Sequence, residues 1–184
     1  RKHMEIMFSH GSLYTITNNN LLYHASVPLN EDGSLKEVIV RGKAYKGREL
    51  LDVIDGIMRS AFLPGTPAAE REDAVDYYWY LWCGADSPLF DKAKMATFER
   101  YFLTDKEIRH EEKGYYYQMR DSSAVSENIL RDFGIDSPHS HIINGHVPVK
   151  ASKGEAPIKA GGKMMVIDGG FSKAYHDTTG IAGY

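Results

Sequence analysis

Between Pro138 and Gly170 the chain carries two short apolar runs, each stopped by glycine, and no other stretch narrows its fold as much. Ile142 and Ile143 form the first run, which breaks at Asn144-Gly145-His146. Val147-Pro148-Val149 then resumes extended, because proline fixes its own φ and pushes its predecessor toward β. Met164 to Ile167 form the second run, which ends in Asp168-Gly169-Gly170. Two buried strands that end abruptly in glycine are how α/β enzymes present polar side chains at the carboxyl edge of a sheet. The side chain presented at the first edge is His146. A histidine there is either a turn residue satisfied by a backbone carbonyl or a metal ligand, with Gly145 permitting close backbone approach. Deciding between the two requires a partner elsewhere.

Such a partner lies near the start of the chain. Ser12 to Thr17 alternates in the manner of a half-buried strand, Asn18-Asn19-Asn20 tolerates positive φ, and Leu21-Leu22-Tyr23 begins a second strand. This predicts a hairpin that runs into His24, Ala25, Ser26, Val27 and Pro28. A lone strand-end histidine is ordinarily a hydrogen-bonded core residue. The recurrence of the pattern at His24 and His146 is what suggests a shared role.

The remaining pattern is mixed. Glu37 to Arg41 reads as a short strand, and Lys46 to Ala61 as a helix with Leu50, Ile54 and Met58 on one face. Thr66 is a suitable N-cap with Pro67 at the first helical position, and Gly84 stops the helix that follows. Val75, Tyr78, Trp79 and Trp82 share one face of that helix and are expected to pack in the core, away from any catalytic cleft. Thr104 and Glu107 form a capping-box pattern, and Tyr115-Tyr116-Tyr117 suits a strand or the cover of a cleft. Ser123 is expected to cap a helix carrying Val125, Ile129 and Phe133 and ending at Gly134. The spread of strands and helices predicts an α/β body.

A length of 184 residues suits a single domain, 1–184, with a sizeable core. The net charge of -3 gives no electrostatic reason to expect nucleic acid or a membrane as partner. One cysteine, Cys83, excludes an internal disulfide and fits a reducing cytoplasm. No run approaches membrane-spanning length, and a chain that opens on Arg1 is expected to be part of a longer protein.

The stretches LLYHASVPLN, WYLWCGADSPLF, KMATFERYF, HIINGHVPVK, GEAPIKAGGK and VIDGGFSKAYHDTTGIAGY together resemble the class III, Firmicute-type fructose-1,6-bisphosphatases, a branch of the calcineurin-like metallophosphatases. The resemblance implies the carboxyl-terminal part of a β-sandwich flanked by helices, with two divalent metals at the strand ends. Mn²⁺ is the first candidate and Mg²⁺ the second. It implies His24 as the histidine of a His-Gly-x-x-Pro motif, here with Ala25 in place of glycine, and His146 as that of a Gly-His motif. In such enzymes these two bind one metal.

The family's Asp-x-His, Gly-Asp-x-x-Asp-Arg-Gly and Gly-Asn-His-Glu motifs do not occur in the chain, and by motif order they would precede Arg1. The histidine that assists the leaving group is expected among them, so the chain alone is expected to be inactive. The implied reaction is hydrolysis of the 1-phosphate of fructose 1,6-bisphosphate, in which two metals about 3.5–4 Å apart clamp the phosphate and acidify a water. Lys150, Lys153 and Lys159 follow His146 and are candidates for the second phosphate, with Arg131 beside them; each also reads as an ordinary surface cation. Asp168 is a candidate to orient a ligand histidine, or simply the turn residue before Gly169-Gly170. His139 and His141 resemble a metal-binding pair but read as structural or exposed. An uncovered sheet surface is expected to favour homo-oligomers. The competing readings are another calcineurin-like hydrolase, such as a phosphoprotein phosphatase, and a non-catalytic binding or assembly domain.

Overall fold

The computed structural model describes residues 2–168, together with Lys173 and Asp177. Helix α1 (Lys2–His10) leads into strands β1 (Tyr14–Thr17) and β2 (Asn20–Tyr23). Their two-residue loop places Asn18 and Asn19 at φ 51° and 60°, so the expected hairpin forms with both asparagines left-handed. A second hairpin, β3 (Val38–Val40) and β4 (Lys43–Tyr45), precedes the helices α2 (Gly47–Phe62), α3 (Ala68–Cys83), α4 (Thr97–Phe102), α5 (Tyr116–Met119) and α6 (Ser123–Asp132). Strands β5 (Ile142–Asn144), β6 (Ile158–Lys159) and β7 (Met164–Val166) follow.

The fold is a mixed α/β arrangement around a five-stranded sheet of order β1-β2-β5-β7-β6. Its three central strands, β2, β5 and β7, run parallel, and the two edge strands run antiparallel to their neighbours. Side chains alternate between the faces of such a sheet. Leu21, Ile142 and Met164 therefore align in one row, each 0–1% exposed, with α6 packed over them through Ile129, Leu130 and Phe133. The opposite face carries Leu22, Ile143, Met165 and Ile158 in register, and the last two are 41% and 57% exposed. A second core joins α2 to α3 through Leu50, Ile54, Ile57, Ala74 and Leu81.

Several local expectations need correction. Helix α3 buries Ala74 and Leu81, and it leaves Val75, Trp79 and Trp82 46%, 56% and 44% exposed. Apolar residues line both sides of this helix, and the small Ala74 lets α2 approach where a tryptophan would hold it off. Thr66 does not cap α3: its hydroxyl bonds to the Leu63 carbonyl, and Pro67 occupies the N-cap. The Thr104–Glu107 box gives way to a turn in which the Asp105 carboxylate accepts from the Glu107 amide at 2.8 Å. Tyr115–Tyr117 is not a strand; Tyr116 and Tyr117 open α5, and Tyr116 is fully buried. The cap of α6 is Ser122, one residue earlier than expected. Val147-Pro148-Val149 forms no strand.

Candidate metal-binding site

Parallel neighbours end at the same sheet edge, so the residues after β2, β5 and β7 meet there. His24 lies two positions beyond Leu22 and shares its open face. His146 reaches that face differently: its backbone is left-handed, φ 69°, which turns the chain sharply after β5. A non-glycine residue held there costs about 1–3 kcal/mol and is concentrated at functional sites. Gly145, by contrast, is not sterically required. A methyl group on it would meet the Asp168 side chain and the His24 carbonyl at 3.5 and 3.7 Å, ordinary van der Waals distances.

The two imidazoles come together, with His24 Nε2 standing 3.1 Å from His146 Nδ1. The rings cross at 72°, with centroids 5.0 Å apart. Backbone bonds fix the approach: the Gly145 amide donates to the His24 carbonyl at 2.8 Å, and the Ile167 amide to the Asn144 carbonyl at 2.8 Å. The Val149 amide donates to the Asp168 carbonyl at 3.1 Å, bringing the end of β7 alongside. His24, His146 and Asp168 border a cavity of about 730 Å³ on the open face of the sheet, floored by Leu22, Ile143 and Ile167. Burial lowers the pKa of His146 from the usual histidine range; His24 and Lys92 push the same way, and Asp168 opposes them. His146 therefore stays neutral more readily, as a metal ligand must.

The pair fits part of a metal shell. Two nitrogens about 2.0–2.1 Å from one ion stand about 2.8–3.4 Å apart at bond angles of about 90–109°, which spans the observed separation. A hydrogen bond between two neutral imidazoles has the same length, so the arrangement is satisfied with or without an ion. Among the described residues no group of three histidine, cysteine or carboxylate side chains is placed to hold a metal. Two imidazoles alone would leave most of a Mn²⁺ or Mg²⁺ shell unfilled.

The proposed phosphate-binding cations stand elsewhere. None of Lys150, Lys153, Lys159 and Arg131 borders the histidine cavity. Lys159 is 8% exposed and lies 3.0 Å from Glu155, which also pairs with Arg120. Lys150 and Lys153 are exposed in the loop after Val149, around a short 3-10 helix. Arg131 borders a separate cavity with Pro138 and Lys163, at the amino ends of β5 and β7. The cation whose field reaches His146 is Lys92, which is paired with Glu111 at 2.7 Å. Sequence spacing gave no hint of it, because the segment holding it is non-helical and distant in the chain. His139 and His141 are exposed, and His141 binds Asn20 through both its amide and its ring. Gly169 and Gly170 lie outside the described residues.

The family model described as Firmicute fructose-1,6-bisphosphatase matches residues 1–184. The chain is 60% identical over its full length to a class 3 fructose-1,6-bisphosphatase of Bacteroides thetaiotaomicron, 61% to one of Porphyromonas gingivalis and 54% to one of Clostridium acetobutylicum. It spans 28% of the length of each of these relatives. No solved structure matches it. No described helix is long and apolar enough to cross a membrane.

Proposed function

The chain belongs to the Firmicute fructose-1,6-bisphosphatase family, and from that premise we propose that it supplies His24 and His146 to the divalent-metal centre of an enzyme hydrolysing the 1-phosphate of fructose 1,6-bisphosphate. The observation that carries the reading is the 3.1 Å approach of the two imidazole nitrogens at a shared sheet edge. Bound there, a pair of Mn²⁺ or Mg²⁺ ions would neutralise phosphate charge and activate water. The chain's own part is to present two imidazole nitrogens, which as ligands add no negative charge against an anionic substrate. Asp168 lines the same cavity and its charge acts on His146, which supports reading it as the residue that orients that ring.

The open sheet face supports a second element of the reading. Leu22, Ile143, Met165 and Ile158 form an apolar row across four strands, and nothing described covers it fully. In a protein about three and a half times as long, as the relatives are, this face is where the second layer of a phosphatase β-sandwich would pack and bring the carboxylate ligands. The same apolar face would promote self-association whenever it is left uncovered.

The test uses the full-length protein with Mn²⁺ and fructose 1,6-bisphosphate, following phosphate release and identifying the sugar product. His24→Ala and His146→Ala are each expected to lower turnover by at least about 100-fold, the scale of losing one metal-binding group. Turnover within threefold of the parent in both variants would overturn the assignment. Preferential release from a phosphopeptide would instead favour a phosphoprotein phosphatase.

A further inference from the structure

Asn144 ends β5 on the core face of the sheet and is 1% exposed. An asparagine buried this deeply is unusual, and here it is only partly satisfied. Its Nδ2 donates to the Ala25 carbonyl at 3.0 Å and to the Tyr116 hydroxyl at 2.8 Å, while its buried Oδ1 has no partner among the described residues. An unmet buried acceptor costs about 1–3 kcal/mol. A leucine in this row, beside Val166 and Tyr23, would carry no such cost. The amide's two donors are what an apolar residue cannot supply.

Both donors act on the elements that carry the histidines. The Ala25 carbonyl follows His24 directly, and the His24 carbonyl is held by the amide of Gly145. Two successive carbonyls after β2 are thus clamped by two successive residues, Asn144 and Gly145, immediately before His146. The other partner, Tyr116, bonds Tyr23 through their hydroxyls at 2.6 Å, so the residue preceding His24 is tied to the same amide. The carbonyl partner also fixes the amide's orientation, since only Nδ2 can face Ala25 O.

We propose that Asn144 is a positioning residue that sets the separation of His24 and His146 by clamping the Ala25 carbonyl against the end of β5. The inference rests on the reading of the two histidines as ligands of one metal. It assigns no contact between Asn144 and the metal or the substrate. Without the amide, the backbone after β2 keeps one of its two links to β5, and the His24 imidazole gains freedom relative to His146.

The experiment measures Mn²⁺ affinity of the full-length protein from the free-ion electron paramagnetic resonance signal, beside thermal unfolding. The variants are Asn144→Ala, Asn144→Asp, Tyr116→Phe, His24→Ala and His146→Ala. Asn144→Asp keeps the size but replaces the donor with an oxygen that faces the Ala25 carbonyl, so it serves if Asn144→Ala does not fold. Loss of orientation around a ligand typically costs about 10–100-fold in metal affinity, and that loss is expected in folded Asn144 variants at the site the histidine variants abolish. Tyr116→Phe, which keeps the Ala25 link, is expected to lower the melting temperature while leaving affinity within about threefold. Folded Asn144 variants with affinity within about threefold of the parent would overturn the proposal, as would an equal loss in Tyr116→Phe. If the histidine variants themselves bind Mn²⁺ normally, the ligand reading falls and this inference falls with it.

Discussion

His24 and His146 are 122 positions apart in the chain and 3.1 Å apart between ring nitrogens. The contact follows from sheet order. β5 arrives between β2 and β7 after a long excursion through five helices, and parallel pairing with β2 puts both strand ends at one edge. Any other neighbour for β5, or an antiparallel one, would carry His146 away from His24. The left-handed backbone of His146 completes the approach.

Leu81, not Trp79, is the residue of α3 on which stability depends. Leu81 is 2% exposed against α2, whereas Trp79 is 56% exposed and lies beside Trp82 and Phe98 at the surface. Leu81→Ala is expected to cost about 2–5 kcal/mol in urea unfolding. Trp79→Ala should cost about 1 kcal/mol or less. The reverse order would show that the aromatic face is the buried one.

How much was legible in the sequence follows the physics of each signal. The hairpin, α2, α6 and the strands leading to both histidines could be read, because each has a strong period and a turn residue that ends it. The burial side of α3 could not, since apolar residues at helical spacing occupy both sides and only the partner helix chooses between them. Strand neighbours could not be read either, yet they decide the site. Asn144 looked like the start of a turn because an asparagine before glycine normally is one; its burial depends on Tyr116, 28 positions away.

Asp91 should give the protein a pH-dependent stability. It is 7% exposed, has a left-handed backbone and has one carboxylate oxygen without a partner among the described residues. Burial raises its pKa to about 6, helped by Asp86 and opposed by the backbone amides of Tyr117 and Tyr116 and by Lys36. The folded state thus holds this proton more tightly than the unfolded chain, whose carboxyl titrates near 3.8. Stability from this group is present at low pH and declines as pH rises from about 4 to about 6. Asp91→Asn removes the ionisation, so its stability advantage should grow across that window by roughly 1–3 kcal/mol. Urea midpoints of the two proteins that run parallel from pH 4 to 7 would refute this.

Helix α2 is capped from another helix. Lys46 at its N-cap offers no side-chain bond; instead Asp132 at the end of α6 accepts from the Arg48 amide at 2.7 Å. Asp132→Ala is expected to cost about 0.5–2 kcal/mol. Gly47 leaves room for that carboxylate: with φ at 52°, a methyl group there would lie 2.0 Å from Asp132 Oδ2. Gly47→Ala should therefore cost less in the Asp132→Ala background than alone, keeping the left-handed strain of about 1–2 kcal/mol and a tight contact with Leu35 Cδ1 at 3.0 Å. Strictly additive losses on chemical denaturation would contradict the contact.

The isolated chain is expected to release no phosphate from fructose 1,6-bisphosphate, whereas a full-length protein is expected to do so. The described residues bring two imidazoles to the sheet edge and no third ligand group. A hard divalent ion prefers a fixed shell of several oxygens, so two nitrogens hold it weakly. The acidic motifs that would complete a paired site are absent from the sequence, as is the Gly-Asn-His-Glu histidine expected to assist the leaving group. General acid catalysis alone commonly supplies roughly 10²–10⁴-fold. These losses fall on one transition state, and Lys150, Lys153 and Lys159 cannot offset them from outside the cavity. Phosphate release would be followed for both proteins with excess Mn²⁺, with dispersity checked by light scattering because no described residue fully covers the apolar sheet face. Activity confined to the full-length protein would bear out the divided site; equal turnover in both would mean that residues 1–184 assemble a complete one.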